Sequence, residues 1–207
     1  MKIFEIIADI LVILSLVYVS FVLTLADWLV ALRKGKAVSL LPERGERKYP
    51  FWAQVGLVIL GLGIFAAIAY FLWIPLFSIS SQIAFFLGVL GLILYAAGYL
   101  FMLWARRTLG RMWGISTSQQ VKLYDDHQIV QTGPYAFVRN PMYFGWTVAT
   151  FGLILLYPVW MVLLMFLFSL VAFTGRARRE DAALAGRFGY AWTEYKKRTK
   201  FLVPFIY

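Results

Sequence analysis

The apolar stretch MYFGWTVATFGLILLYPVWMVLLMFLFSLVAFT, residues 142–174, decides how this chain is arranged. It contains no Asp, Glu, Lys or Arg. A helix rises about 1.5 Å per residue, so about 30 Å of hydrocarbon takes roughly 20 residues to cross. The stretch is too long for one untilted span and short for two. The flanking charges choose between them, because basic loops stay on the cytoplasmic side of a membrane. Arg106, Arg107, Arg111, Lys122 and Arg139 precede it; Arg176, Arg178, Arg179, Arg187, Lys196, Lys197, Arg198 and Lys200 follow it. A turn near Tyr157-Pro158 puts both groups on one side, whereas a single span puts the tail cations outside. Pro158 suits a turn or a first helical turn, since it lacks an N–H and breaks a helix interior. The stretch therefore reads as a helical hairpin.

Three more spans lie upstream, at about 6–32, 51–74 and 82–105. Residues 51–105 carry no charge, and 10–32 carry only Asp27. A break over 74–81 separates the middle pair. The connection 33–50 holds Arg33, Lys34, Lys36, Arg44, Arg47 and Lys48, so every Lys and Arg except Lys2 falls on the cytoplasmic side. The expected fold is an all-α polytopic membrane protein with five transmembrane helices, N-terminus outside and C-terminus inside. It is one integral membrane domain over 1–207, with three spans in 1–105 and a second half at 106–207. The first helix reads as retained, because its apolar run is long and no small-residue cleavage site follows. Gly56, Gly61, Gly63, Gly88, Gly91 and Gly98 read as points of close helix approach.

Composition agrees with a membrane chain and excludes several chemistries. Of the 207 residues, 62% are hydrophobic and 14% charged, against about 45–50% and roughly 25% in soluble domains. With no cysteine and one histidine, there is no disulfide framework, thiolate nucleophile, sulfur-ligated metal or multi-histidine centre. Asp125, Asp126 and His127 are consecutive on a turn, a poor arrangement for chelation, so no metal is expected. The net charge of +10 reflects topology and contact with anionic lipid heads. No soluble domain presents it to nucleic acid.

Two polar segments exceed what connection requires. Within 106–141, alternation around Asp125-Asp126 predicts two short extended pieces joined by a turn. Gly133-Pro134 and Asn140-Pro141 then direct the backbone into the next helix, where Pro141 is favourable and free N–H groups can meet an anion. The tail from 174 to 200 reads as a helix continuing out of the bilayer. Arg176 and Glu180 are four apart on one face, a spacing that an ordinary surface ion pair satisfies equally well. Arg139 also fits a snorkelling anchor, and Tyr135 and Tyr143 fit interfacial aromatics.

Taken in order, these segments resemble the isoprenylcysteine carboxyl methyltransferase family. The matching stretches are Leu109-Gly110-Arg111-Met112-Trp113, His127-Gln128-Ile129-Val130 with Gly133-Pro134-Tyr135, Arg139-Asn140-Pro141-Met142-Tyr143, and Glu180-Asp181-Ala182-Ala183-Leu184. The tail from Phe188-Gly189 to Tyr195-Lys196-Lys197-Arg198, ending Pro204-Phe205-Ile206, is similar as well. The resemblance implies a membrane-embedded enzyme that moves a methyl group from S-adenosyl-L-methionine, leaving S-adenosyl-L-homocysteine. It assigns His127, Gln128, Ile129 and Val130 to the adenosine end, largely through backbone groups. Tyr135, Asn140, Pro141, Met142, Tyr143 and Glu180 would also contact the cofactor, with Gln120 a further candidate. Arg176 and Arg139 would be the catalytic cations, Arg176 facing the substrate. The chain departs from the family at Asn140, where a histidine is usual, at Asp181, where a second glutamate is usual, and at Trp192, where a tyrosine is usual. Asn can hydrogen-bond but cannot carry a proton.

The implied acceptor is a lipophilic carboxylate such as a C-terminal prenylcysteine, entering from the bilayer among membrane lipids. A carboxylate is already ionised and needs no general base. The implied site is the endoplasmic reticulum in a eukaryote and the cell membrane in a prokaryote. Other readings stay open at this point. They are a phospholipid amine or small thiol acceptor, a sterol-reductase-like NADPH enzyme, and a non-enzymatic scaffold. Trp146 stands where the sterol reductases have Asp.

Overall fold

The computed structural model describes residues 2–19, 50–112, 128–204 and 206. The helices are α1 (Lys2–Val17), α2 (Phe51–Leu72), α3 (Ser81–Leu109), α4 (Pro141–Leu156), α5 (Trp160–Phe188) and α6 (Tyr190–Arg198). Among the described residues, β structure is confined to two isolated bridges, Pro75 with Val159 and Val138 with Lys200. The chain divides into two compact units, 1–65 and 66–207. In the first, α1 buries Ala8 and Val12, one turn apart on one stripe. The expected first span extends beyond residue 19, outside the described residues, as does the connection 33–50.

Three helices are long and apolar enough to cross a bilayer: α2 over Val55–Leu72, α3 and α5. The apolar stretch 142–174 is divided at Tyr157-Pro158-Val159 into α4 and α5, and α4 is the shorter piece. Phe151 faces Phe166 and Tyr143 faces Phe173, so the two helices run antiparallel. At the turn, Leu76 N–H donates to the Pro158 carbonyl at 2.8 Å and Trp160 N–H to the Ile74 carbonyl at 3.0 Å. Those bonds use backbone groups that the non-helical segment 73–80 would otherwise leave unpaired.

The tightest packing in this unit is between α3 and α4, where glycines meet backbone to backbone. Gly91 and Gly98 sit two turns apart on α3, as do Gly145 and Gly152 on α4. A Cβ at Gly152 would lie 2.6 Å from the Gly91 carbonyl oxygen, and one at Gly145 would lie 2.7 Å from that of Gly98. A Cβ at Gly56, Gly61 or Gly63 would meet nothing within 4 Å. The expected role in close approach therefore holds for Gly91 and Gly98 and fails for those three. Gly145 and Gly152 take it instead, because close approach needs a small residue on both partners.

The expected single helix over 174–200 is also corrected. Gly189, at φ 50° and ψ −115°, ends α5, and α6 starts afresh at Tyr190. A side chain strongly disfavours that conformation, and a glycine occupies the bend. The bend turns α6 back toward the segment preceding α4.

Candidate active site

Every contact of interest lies at the end of the second unit where α4 begins and α5 leaves its apolar stretch. Tyr143 sits in the first turn of α4, and its hydroxyl lies 2.9 Å from each Glu180 carboxylate oxygen. Arg176 Nε donates to Glu180 Oε1 at 3.0 Å from the preceding turn of α5. The Arg176 and Glu180 side chains keep 28% and 24% of their exposure, so both remain reachable. Phe173, one turn further along the same face, stacks on the Tyr143 ring at 5.1 Å and 18°. Trp146 meets Phe173 edge-on at 5.9 Å. The cluster is thus a carboxylate held by a phenol and a guanidinium, floored by aromatic rings toward the apolar part of the bundle. A carboxylate in that setting suits a ligand ammonium group, and a guanidinium suits a ligand carboxylate.

A second cluster fastens the tail. Arg139 Nη1 donates to the Thr199 carbonyl at 2.6 Å and to that of Lys196 at 3.2 Å. Its Nε lies 3.2 Å from Asp181 Oδ1, charge to charge without hydrogen-bond alignment. Lys196 Nζ donates to the other Asp181 oxygen at 2.8 Å. Asn140 Nδ2 donates to the Phe201 carbonyl at 2.8 Å. Arg139 N–H donates to the Lys200 carbonyl and Lys200 N–H to that of Phe137, which makes the short parallel bridge.

Tyr195 completes the fastening, its hydroxyl donating to the Tyr135 carbonyl at 2.7 Å. Burial pushes the Tyr195 phenol up to about 12 and raises that of Tyr135 as well. Both stay protonated at neutral pH, as the Tyr195 bond requires. Tyr135 itself is buried in the single turn of 3₁₀ helix over Gly133–Ala136.

The structure therefore brings Tyr143, Arg176 and Glu180 together and seats Arg139 and Asn140 on the tail. Pro141 is fully buried at the start of α4, and Met142 is half-buried beside it. Gln128 gives its backbone N–H to Met112 Sδ at 3.4 Å, and Ile129 and Val130 are half-buried. Gln120, His127 and the expected extended pieces around Asp125-Asp126 lie outside the described residues. Sequence reasoning does not single out Phe173. Its signal was present, since it stands seven residues before Glu180 and so shares its face of the helix.

The protein-S-isoprenylcysteine O-methyltransferase of Saccharomyces cerevisiae is 33% identical over 121 residues, covering 57% of this chain and 49% of that protein. Its counterpart from Xenopus laevis is 32% identical over 122 residues, covering 58% and 41%. The chain thus spans about half the length of the curated relatives it matches. The solved structure of a eukaryotic intramembrane Ras methyltransferase, an isoprenylcysteine carboxyl methyltransferase, shares the fold. Its TM-score is 0.51 at 24% identity, over 76% of this chain and 55% of that one. The profile of the phospholipid methyltransferase family matches residues 86–191. That range runs from α3 into α6 and includes Tyr143, Arg176 and Glu180, and the chain belongs to the phospholipid methyltransferase family.

Proposed function

We propose that the chain is a membrane-embedded methyltransferase that uses S-adenosyl-L-methionine to methylate the carboxylate of a lipophilic acceptor, a C-terminal prenylcysteine being the type. The observation that carries this reading is the Tyr143–Glu180–Arg176 cluster at the polar end of the apolar bundle. The names of the yeast and frog relatives support the choice of acceptor. When bound, S-adenosyl-L-methionine supplies a methyl carbon activated by a sulfonium. The residues present fit such a cofactor. Glu180, steadied by Tyr143, would hold its amino group, while Tyr135, the 128–130 segment and the start of α4 would line the rest, with His127 and Gln120 as further contacts.

Arg176 would orient the acceptor carboxylate through paired hydrogen bonds. No proton needs to leave such an acceptor, so Asn140 in place of the usual histidine removes nothing the reaction requires. The protein then contributes orientation, fixed electrostatics and exclusion of water. In the full topology we propose, five helices cross the membrane, α4 and α5 form the final hairpin, and both polar segments lie in the cytoplasm. The acceptor tail would enter between helices from the lipid. The membrane would be the endoplasmic reticulum in a eukaryote and the cell membrane in a prokaryote. No metal or nucleic-acid partner enters this mechanism.

A second reading, methylation of a phospholipid amine, draws on the description of the matching family itself. Purified protein in nanodiscs, supplied with radiolabelled S-adenosyl-L-methionine, separates the two. A base-labile methyl ester on farnesylcysteine is the expected product; label on ethanolamine head groups would favour the second reading. Glu180→Ala is expected to lower S-adenosyl-L-homocysteine affinity at least about a hundredfold, from the loss of a charge-assisted contact, while the melting profile is kept. Unchanged calorimetric titration with that nucleoside would remove the cofactor placement.

A further inference from the structure

Two adjacent acids on α5 face different partners. Consecutive residues on a helix point about 100° apart. Glu180 therefore meets Tyr143 of α4, while Asp181 meets Arg139 and Lys196. Arg139 and Tyr143 flank the entrance to α4, Arg139 just before it and Tyr143 in the first turn. The same two helix ends are thus joined by two parallel rungs. The inner rung, Tyr143 to Glu180, has the more open carboxylate and borders the site. The outer rung, Arg139 to Asp181, keeps only 10% and 16% side-chain exposure and borders the tail.

Arg139 does more on that rung than neutralise Asp181. One guanidinium reaches the acid with Nε and two carbonyls at the end of α6 with Nη1. Its guanidinium carbon lies over the Phe201 ring, 5.8 Å from the centroid. Asp181 receives the Lys196 ammonium on its second oxygen. Loop, α5 and tail therefore converge on a single carboxylate. Removing it would leave a buried guanidinium without its countercharge and release Lys196 at the same time.

We infer that Asp181 is a positioning residue: with Arg139 as its arm, it sets the spacing between the start of α4 and α5, and so holds Tyr143 against Glu180. This rests on the reading that Tyr143 and Glu180 bind the cofactor's amino group. Arg139, expected from the family pattern to be catalytic, is assigned here to the clamp.

The test is a double-mutant cycle in nanodiscs on S-adenosyl-L-homocysteine affinity, with Tyr143→Phe, Asp181→Asn and both together. Each single change is expected to weaken binding roughly tenfold, the size of coupling within one ion-pair network. The double variant is expected to bind no more weakly than the worse single one, because Asp181 acts on binding only through the Tyr143–Glu180 rung. Asp181→Glu should restore most of the affinity. Fully additive losses would make Asp181 a merely structural residue and overturn the inference. So would unchanged binding in Asp181→Asn beside weakened binding in Tyr143→Phe. Unchanged binding in both singles and in Glu180→Ala would overturn the cofactor site together with its clamp. Should Asp181→Asn fail to fold, Arg139→Lys, which shortens the arm while keeping a cation opposite Asp181, replaces it; the same two outcomes then decide.

Discussion

Tyr143 commits its one hydroxyl hydrogen to Glu180, and Arg176 holds the same carboxylate from the preceding turn. Arg176 and Arg139 thus have different partners. Arg176 belongs to the open cluster and Arg139 to the shielded clamp. Lysine keeps the charge of Arg176 but loses the planar fork that binds a carboxylate with two bonds. Arg176→Lys is therefore expected to raise the acceptor KM about tenfold and to change S-adenosyl-L-homocysteine affinity far less. Steady-state kinetics with a farnesylcysteine acceptor, beside calorimetry on the nucleoside, would check this. Comparable losses in both would place Arg176 on the cofactor instead. Residue 140 follows the same logic: its amide donates to the Phe201 carbonyl, a task that needs an N–H and no proton exchange.

At the scale of elements, two devices hold the site. The first is the glycine ladder between α3 and α4, where backbones replace side chains as the packing surface. Gly145→Ala pushes a methyl group against the Gly98 carbonyl and is expected to cost about 1–3 kcal/mol, the usual price of overpacking. Gly61→Ala, the same swap in α2 where a Cβ meets nothing, should cost nothing measurable. Thermal unfolding in detergent would compare them, and equal losses would remove the ladder as the explanation. The second device is the tail fastening, in which Tyr195 donates to the Tyr135 carbonyl. The Tyr195 phenol titrates near 10.0 when unfolded and at about 12 when folded. Above the lower value the folded state binds more protons, so stability falls with pH. The contribution is complete below pH 10.0 and lost as pH rises through about 12. Tyr195→Phe should be less stable at neutral pH and should show a shallower alkaline decline. A decline of unchanged steepness would point to other groups.

At the scale of the molecule, the proposed topology makes a direct claim about sidedness. The chain has no native cysteine, so single introduced ones report cleanly. Ser78 lies in the exposed segment between α2 and α3, and Gly186 near the exposed end of α5. In sealed cells, a membrane-impermeant maleimide is expected to label Ser78→Cys and to spare Gly186→Cys until the membrane is opened. The reverse pattern would invert the orientation, and labelling of both from outside would break the hairpin reading.

How much of this was legible beforehand follows the range of each interaction. The break expected over 74–81 and found at 73–80, the turn at Tyr157-Pro158 and the Arg176–Glu180 pair were readable from the chain. Hydrocarbon transfer, proline geometry and i,i+4 neighbours are local properties that add up along a sequence. The glycines were half-legible. A small residue permits close approach, but only the presence of a matching one opposite makes it happen, as Gly145 and Gly152 do for Gly98 and Gly91. Tyr143 meets Glu180 across 37 positions, and Asn140 meets Phe201 across 61. No local periodicity encodes such pairings. They depend on where two helices cross and where Gly189 bends the tail. Hydropathy and charge therefore determined which segments are apolar and which are polar. Tertiary structure alone decided that Arg139 meets the tail while Tyr143 meets Glu180, because a polar side chain finds its partner only after the backbones around it have been placed.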